Sequence, residues 1–189
     1  MTELSLNILD IAENSVRAGA KNIHITLCED RLRATLLISV SDDGCGMDGE
    51  TVKRVTDPFY TTRTTRKVGL GIPFFKMEAE QTGGYMTIES KVGEGTKTEA
   101  LFHSDHTDFI PLGDVVSSVV TLIGGSPDRE FYLYHRLIDA GEERCIDFST
   151  LEMRSVLGDV SLAEPEVLTW LSEYLNEQYS VLYGKQTNS

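Results

Sequence analysis

The stretch LNILDIAENSVRAGA, residues 6–20, decides how the chain is read. Leu6, Leu9, Ala12, Val16 and Ala20 recur at steps of three and four, the spacing of one helical face. Gly19 stands where such a helix stops. Asp10 and Asn14, four residues apart, lie one above the other on one face, and so do Glu13 and Arg17. An acid, an amide and a base at these spacings could hold a metal ion and its anion. A solvated amphipathic helix gives the same pattern, so the neighbouring sequence has to decide.

Outward from this helix, NIHITL (22–27) alternates Ile23, Ile25 and Leu27 and predicts a strand. The polar turn Glu29-Asp30-Arg31 leads to Leu36, Leu37, Ile38 and Val40, a more buried strand, and the two read as an antiparallel hairpin. Residues 48–56 predict a short helix. DPFYTTRTTRKVGLG, from Asp57, is polar, rich in Thr and basic residues, and reads as a mobile loop. Gly71 opens a helix that closes at Gly83-Gly84, and YMTIES and TKTEALFH form a hairpin about Val92-Gly93-Glu94-Gly95.

Composition changes after residue 103. HSDHTDFIPLGD reads as a linker, and the expected division is 1–104 followed by a small α+β region, 105–189. VVSSVVTLI (115–123) fits helix or strand. REFYLYHRLI and EERCIDF alternate about Asp139-Ala140-Gly141, a second hairpin. Ser149-Thr150-Leu151-Glu152 is a capping box, and EPEVLTWLSEYLNEQYSVL (164–182) is an amphipathic last helix.

The 189 residues carry a formal charge of −13, which argues against nucleic acid or an anionic membrane as partner. Cys28, Cys45 and Cys145 are far apart and form no CxxC pair, so neither a disulfide framework nor a zinc site is expected. MTELSLNILD has no leader pattern and no apolar run is long enough to span a bilayer; the expected location is the cytoplasm, with no membrane insertion.

Three glycine patches follow the first helix. Asp42-Asp43-Gly44-Cys45-Gly46 comes straight after a buried strand: a carboxylate there could accept from the amino group of a base, and the glycines let backbone approach a flat ring. An Asp-Gly turn is the plainer alternative. Lys67-Val68-Gly69-Leu70-Gly71 lies at a loop-to-helix junction, where N–H groups and the helix dipole favour phosphate. Residues 53–67 hold Lys53, Arg54, Arg63, Arg66 and Lys67 against Asp57 alone, a local +4 that favours an anionic ligand. Gly93-Glu94-Gly95-Thr96 is by itself a tight hairpin turn.

In this order and spacing the motifs resemble the ATP-binding domain of the superfamily of histidine kinases, DNA gyrase B subunits, ninety-kilodalton heat-shock chaperones and MutL-type repair proteins, over about residues 4–103. Within it, the chain is most similar to stand-alone histidine-kinase-type ATP-binding proteins. The helix 6–20 resembles the asparagine-bearing box, Asp42-x-Gly44-x-Gly46 the adenine box, Pro58-Phe59-Tyr60-Thr61-Thr62 the histidine-kinase box before the lid, and Gly69-x-Gly71 and Gly93-Glu94-Gly95-Thr96 the last two. No GxxxxGK[ST] occurs, so the phosphates would lie under a lid rather than in a P-loop.

The resemblance implies the Bergerat fold, an α/β sandwich with a mixed, mostly antiparallel sheet covered on one face by helices. It implies ATP and Mg²⁺ as ligands. Asn14 would ligand Mg²⁺, Asp42 would accept from the adenine amino group, and Arg17 would meet the phosphates. Gly44, Gly46, Met47, Phe59, Thr61, Thr62, Leu70 and Thr96 would also contact the nucleotide. Gly69 and Gly71 would offer N–H groups to the phosphates, with Arg63, Arg66 and Lys67 as lid cations.

Two positions depart from the family pattern. Asp10 stands where ATPase members have Glu and histidine kinases often have Asn or His; it is the candidate catalytic residue, shorter than Glu by one methylene. Lys67-Val68 replaces the Gly-Thr common before the glycine pair. No phosphoacceptor helix precedes the motifs, so a separate protein is the expected substrate or regulatory partner. Three readings follow: ATP hydrolysis or transfer of the γ-phosphate, a nucleotide-gated interaction module, or a relative that binds no nucleotide.

Overall fold

The computed structural model describes residues 3–57 and 71–184. Among these residues six strands, β1 (Asn22–Asp30), β2 (Thr35–Asp42), β3 (Tyr85–Lys91), β4 (Gly95–His103), β5 (Glu130–Asp139) and β6 (Glu142–Ser149), form one sheet in the order β3-β4-β2-β1-β5-β6. Every pairing is antiparallel except β1 with β5, which run parallel from Asn22↔Glu130 to Asp30↔Ile138. The helices are α1 (Leu4–Arg17), α2 (Gly49–Val55), α3 (Gly71–Gln81), α4 (Val115–Gly125), α5 (Thr150–Leu157) and α6 (Pro165–Leu182). This is the mixed α/β sandwich expected.

Alternation sets the two faces of the sheet. Ile23, Ile25 and Leu27 are buried toward the helices, and so are Phe131, Leu133 and Leu137 on β5. His24, Thr87, Lys97 and Tyr134, on the opposite face, are exposed. The undecided stretch 115–123 is helix α4, begun by the Asp114 side chain accepting from Ser117 N–H. Its β-branched valines do not prevent this, because six of its residues are buried among helices and the sheet.

The apolar stripe of α1 differs from the sequence reading. Leu4, Ile8, Ile11, Ala12 and Ser15 are its buried face, whereas Leu6 is 36% exposed and Leu9 and Val16 are half-buried. Two apolar stripes run along this helix, and the one that turns inward is set by where the sheet and α3 lie. Ala20 is buried beyond the helix end, after Gly19 at φ +77.

The strands and helices after residue 104 build onto the same sheet and core as those before it. β5 gives β1 its second neighbour, and α4 packs on α1 and α6. One apolar cluster holds Ile8, Ile25 and Phe75 together with Val119, Leu133 and Leu171. At the start of α1, Leu4 N–H donates to Pro111 O at 2.9 Å and Ser5 N–H to Leu112 O at 2.8 Å. These carbonyls satisfy helix-start donors that Glu3, which makes no side-chain cap, does not.

Candidate functional site

Asp42 is the last residue of β2 and lies beside α1. Its Oδ2 accepts from Ser15 Oγ–H at 2.5 Å and its Oδ1 from Gly44 N–H at 2.9 Å. Two donors from different elements fix the carboxylate plane and leave acceptor capacity free. That capacity is at the wall of a cavity of about 190 Å³. Ile11, Ala18, Val40, Val55 and Ile72 make the cavity largely apolar, and Asn14, Ser15, Thr96 and Thr98 add polar edges. Apolar walls around one oriented acceptor suit a flat, amino-bearing ring.

The turn after β2 is tied down on all sides. Asp43 faces away from the cavity: it accepts from Lys21 N–H at 2.7 Å and from Asn22 N–H at 2.9 Å, and anchors the start of β1. Burial pushes the Asp43 carboxyl upward, but these bonds outweigh it and hold it below its ordinary value. Cys45 N–H donates to Ala18 O at 2.9 Å, and Met47 N–H to Ser90 Oγ at 2.8 Å. Gly46 has φ +66, and a Cβ there would stand 1.9 Å from Lys91 O. The close packing of this turn on the β3–β4 hairpin therefore requires glycine before any ligand is considered.

The remaining α1 residues divide. Asn14 lines the cavity, with its Oδ1 accepting from Arg17 Nη1 at 2.8 Å. Arg17 also pairs with Glu13 at 2.8 Å and lies in a shallow cleft with Thr121 and Ser126, outside the cavity. Asp10 is beyond the cavity lining, against the first residue of α3. A Cβ on Gly71 would come within 2.8 Å of Asp10 Cβ, so glycine permits this approach. Burial and the charge of Glu13 raise the Asp10 carboxyl above its ordinary value, with Arg17 opposing them.

Among the described residues no group of three His, Cys, Asp or Glu could hold a metal ion. The Asn14 carboxamide oxygen is a hard donor that fits Mg²⁺ only when phosphate and water oxygens complete the shell, and the Arg17 bond has to be exchanged for it. Phe59, Thr61, Thr62, Arg63, Arg66, Lys67, Gly69 and Leu70 lie outside the described residues. Of the others, Asn14, Asp42, Gly46, Met47 and Thr96 line one cavity, and Gly44 acts behind it through Asp42.

Sequence reasoning passed over Ser15, Val40 and Thr98. The signal for two of them was present, since Val40 and Thr98 stand two residues from Asp42 and Thr96 and so share their strand faces. Ser15 had no such signal, because its partner Asp42 is 27 residues away.

Residues 2–106 match the family model described as histidine kinase-, DNA gyrase B-, and HSP90-like ATPase. Sporulation kinase E of Bacillus subtilis is 35% identical over 51% of this chain and 13% of its own length. Sporulation kinase C of the same organism is 31% identical over 50% and 22%. The sensor protein kinase FleS of Pseudomonas aeruginosa is 35% identical over 47% and 22%. The chain thus matches less than a quarter of these relatives' length. A solved structure, the N-terminal domain of a DNA repair protein, aligns with 78% of this chain and 53% of its own at TM-score 0.44 and 16% identity. No helix among the described residues is long and apolar enough to cross a membrane. With its family model covering more than half of its length, the chain belongs to the histidine kinase-, DNA gyrase B-, and HSP90-like ATPases and carries a histidine-kinase-like ATP-binding domain.

Proposed function

We propose that this protein binds Mg-ATP in the cavity between α1 and β2 and hydrolyses it or passes its γ-phosphate to a separate protein. The observation that carries this reading is the Asp42 carboxylate, oriented by Ser15 and Gly44 at an apolar cavity wall. In this role Asp42 accepts from the adenine amino group, the cavity's apolar side chains cover the ring faces, and Thr96 lies at its edge. Asn14 would hold Mg²⁺, which neutralises phosphate charge. Asp10 orients the attacking water or acceptor hydroxyl, and its raised affinity for a proton suits a general base better than an ordinary exposed aspartate does.

The test is incubation with γ-labelled ATP, alone and with cell lysate, beside calorimetric titration. Wild type is expected to bind ATP and to move label to inorganic phosphate or to another protein. Asp42→Asn turns an amide donor toward the adenine amino group and is expected to lower ATP affinity at least about tenfold. Asp10→Ala should retain binding and lose turnover; an unchanged rate removes Asp10 from the mechanism.

One feature favours a second reading, a nucleotide-gated interaction module. The start of α1 is bonded to Pro111 and Leu112, and α4 packs directly on α1, so nucleotide at Asn14 has a continuous path to the C-terminal helices. That reading expects tight ATP binding with negligible turnover in the same assays.

A further inference from the structure

Val167, Leu171, Leu175 and Leu182 are the buried face of α6. The opposite face presents Glu166, Trp170, Glu173, Glu177 and Val181 at steps of three and four residues, all exposed. Trp170 is 42% exposed and Val181 66%. The indole is not a free rotor: it stacks on Tyr174 at 5.8 Å and 22°, and Tyr174 leans on Phe148 in the core. A broad, preset aromatic plate therefore faces solvent.

The charges on this face differ from those on α1, α2 and α3. On α1, α2 and α3 exposed glutamates have a base four residues away: Glu13 with Arg17, Glu50 with Arg54, Glu80 with Lys76. α6 contains three glutamates and neither lysine nor arginine. Among the described residues, no ion pair reaches Glu166, Glu173 or Glu177. Uncompensated carboxylates bracketing an exposed tryptophan disfavour a second copy of this −13 chain and any nucleic acid. They favour guanidinium groups, which can lie over the indole and pair with the carboxylates together.

We propose that the outer face of α6 is a docking surface for an arginine-bearing helical segment of a partner protein. Trp170 is the anchor, and Glu166, Glu173 and Glu177 are the charge partners. The tryptophan supplies contact area at low entropic cost, and the carboxylates set orientation and on-rate. This proposal stands on the surface alone and does not depend on the nucleotide reading.

Trp170 is the sole tryptophan of the chain, so its fluorescence reports on this face directly. The probe is an amphipathic helical peptide with arginine at alternating three- and four-residue steps on one face. The control carries glutamate at the same positions. Full-length protein without nucleotide is expected to show a saturable change in Trp170 emission with the arginine peptide and none with the control. Affinity should fall at least about tenfold in Glu173→Lys/Glu177→Lys and weaken steeply with salt. Binding of labelled arginine peptide, followed by anisotropy, should be lost in Trp170→Ala. All three substituted positions are exposed, and circular dichroism checks that the variants fold. ATP affinity, measured in the same variants, should be unchanged, which separates this test from that of the ATP site. No emission change with the arginine peptide, equal binding of the two peptides, or undiminished binding to the charge-reversed variant overturns the proposal.

Discussion

Acidification should weaken this fold through one buried imidazole. His135 is 0% exposed on β5, under the C-terminal end of α6. Its Nδ1 is 3.0 Å from Tyr179 OH, and its Nε2 is 3.8 Å from Glu29 Oε2 on β1. Tyr183 OH donates to the same Glu29 oxygen at 3.0 Å, and Arg31 stands over the Tyr183 ring. Burial lowers the His135 pKa from 6.5 to about 4, even with Glu29 nearby. Between those values the unfolded chain binds a proton that the folded one does not, so stability falls as pH falls. The linkage gives a loss of about 2 kcal/mol at pH 5, approaching ~3 kcal/mol below pH 4. The assay is urea denaturation followed by circular dichroism from pH 7.5 to pH 5, on wild type and His135→Gln. Glutamine does not titrate and still offers Tyr179 a partner. Relative to that variant, wild type should lose about 2 kcal/mol over the range. Parallel profiles, within ~0.5 kcal/mol, would refute the argument that burial keeps this imidazole neutral.

Three further outcomes are expected. Ser15→Ala removes the 2.5 Å donor to Asp42 and should lower ATP affinity about tenfold by calorimetry while leaving the thermal midpoint nearly unchanged. Gly46→Ala forces a side chain into φ +66 and onto Lys91 O, and should cost at least about 3 kcal/mol in denaturant unfolding. A fragment ending at residue 113 leaves the β1 edge open from Asn22 to Asp30 and removes Val119, Leu133 and Leu171 from the core. It should show no cooperative thermal transition, and an intact one would mean that β5, β6 and α6 are dispensable to the fold.

Much of the chain was legible because its signals are local. The β1–β2 and β3–β4 hairpins, the capped α5 and the amphipathic α6 each declare themselves within one stretch, through alternation, turn glycines or a capping box. Asp42 and Asn14 were legible for a different reason: a resemblance placed them. Their geometry was not, since the cavity brings together α1, β2, α2, α3 and β4 across gaps no periodicity spans. Trp170 likewise reads from the helix pattern as either core or docking surface, and the choice is made only when the buried Val167, Leu171 and Leu175 are seen to leave the indole exposed.

Local patterning thus settled helix or strand for most segments, though not for 115–123, which only the structure shows to be helix α4, and the motif order pointed to the family. Tertiary structure decided three things: which stripe of α1 turns inward, that β5 runs parallel beside β1, and that Ser15 holds Asp42. Each is a pairing between residues far apart in sequence. Such a choice depends on the loop entropy and shape complementarity of the whole chain, which no single stretch encodes.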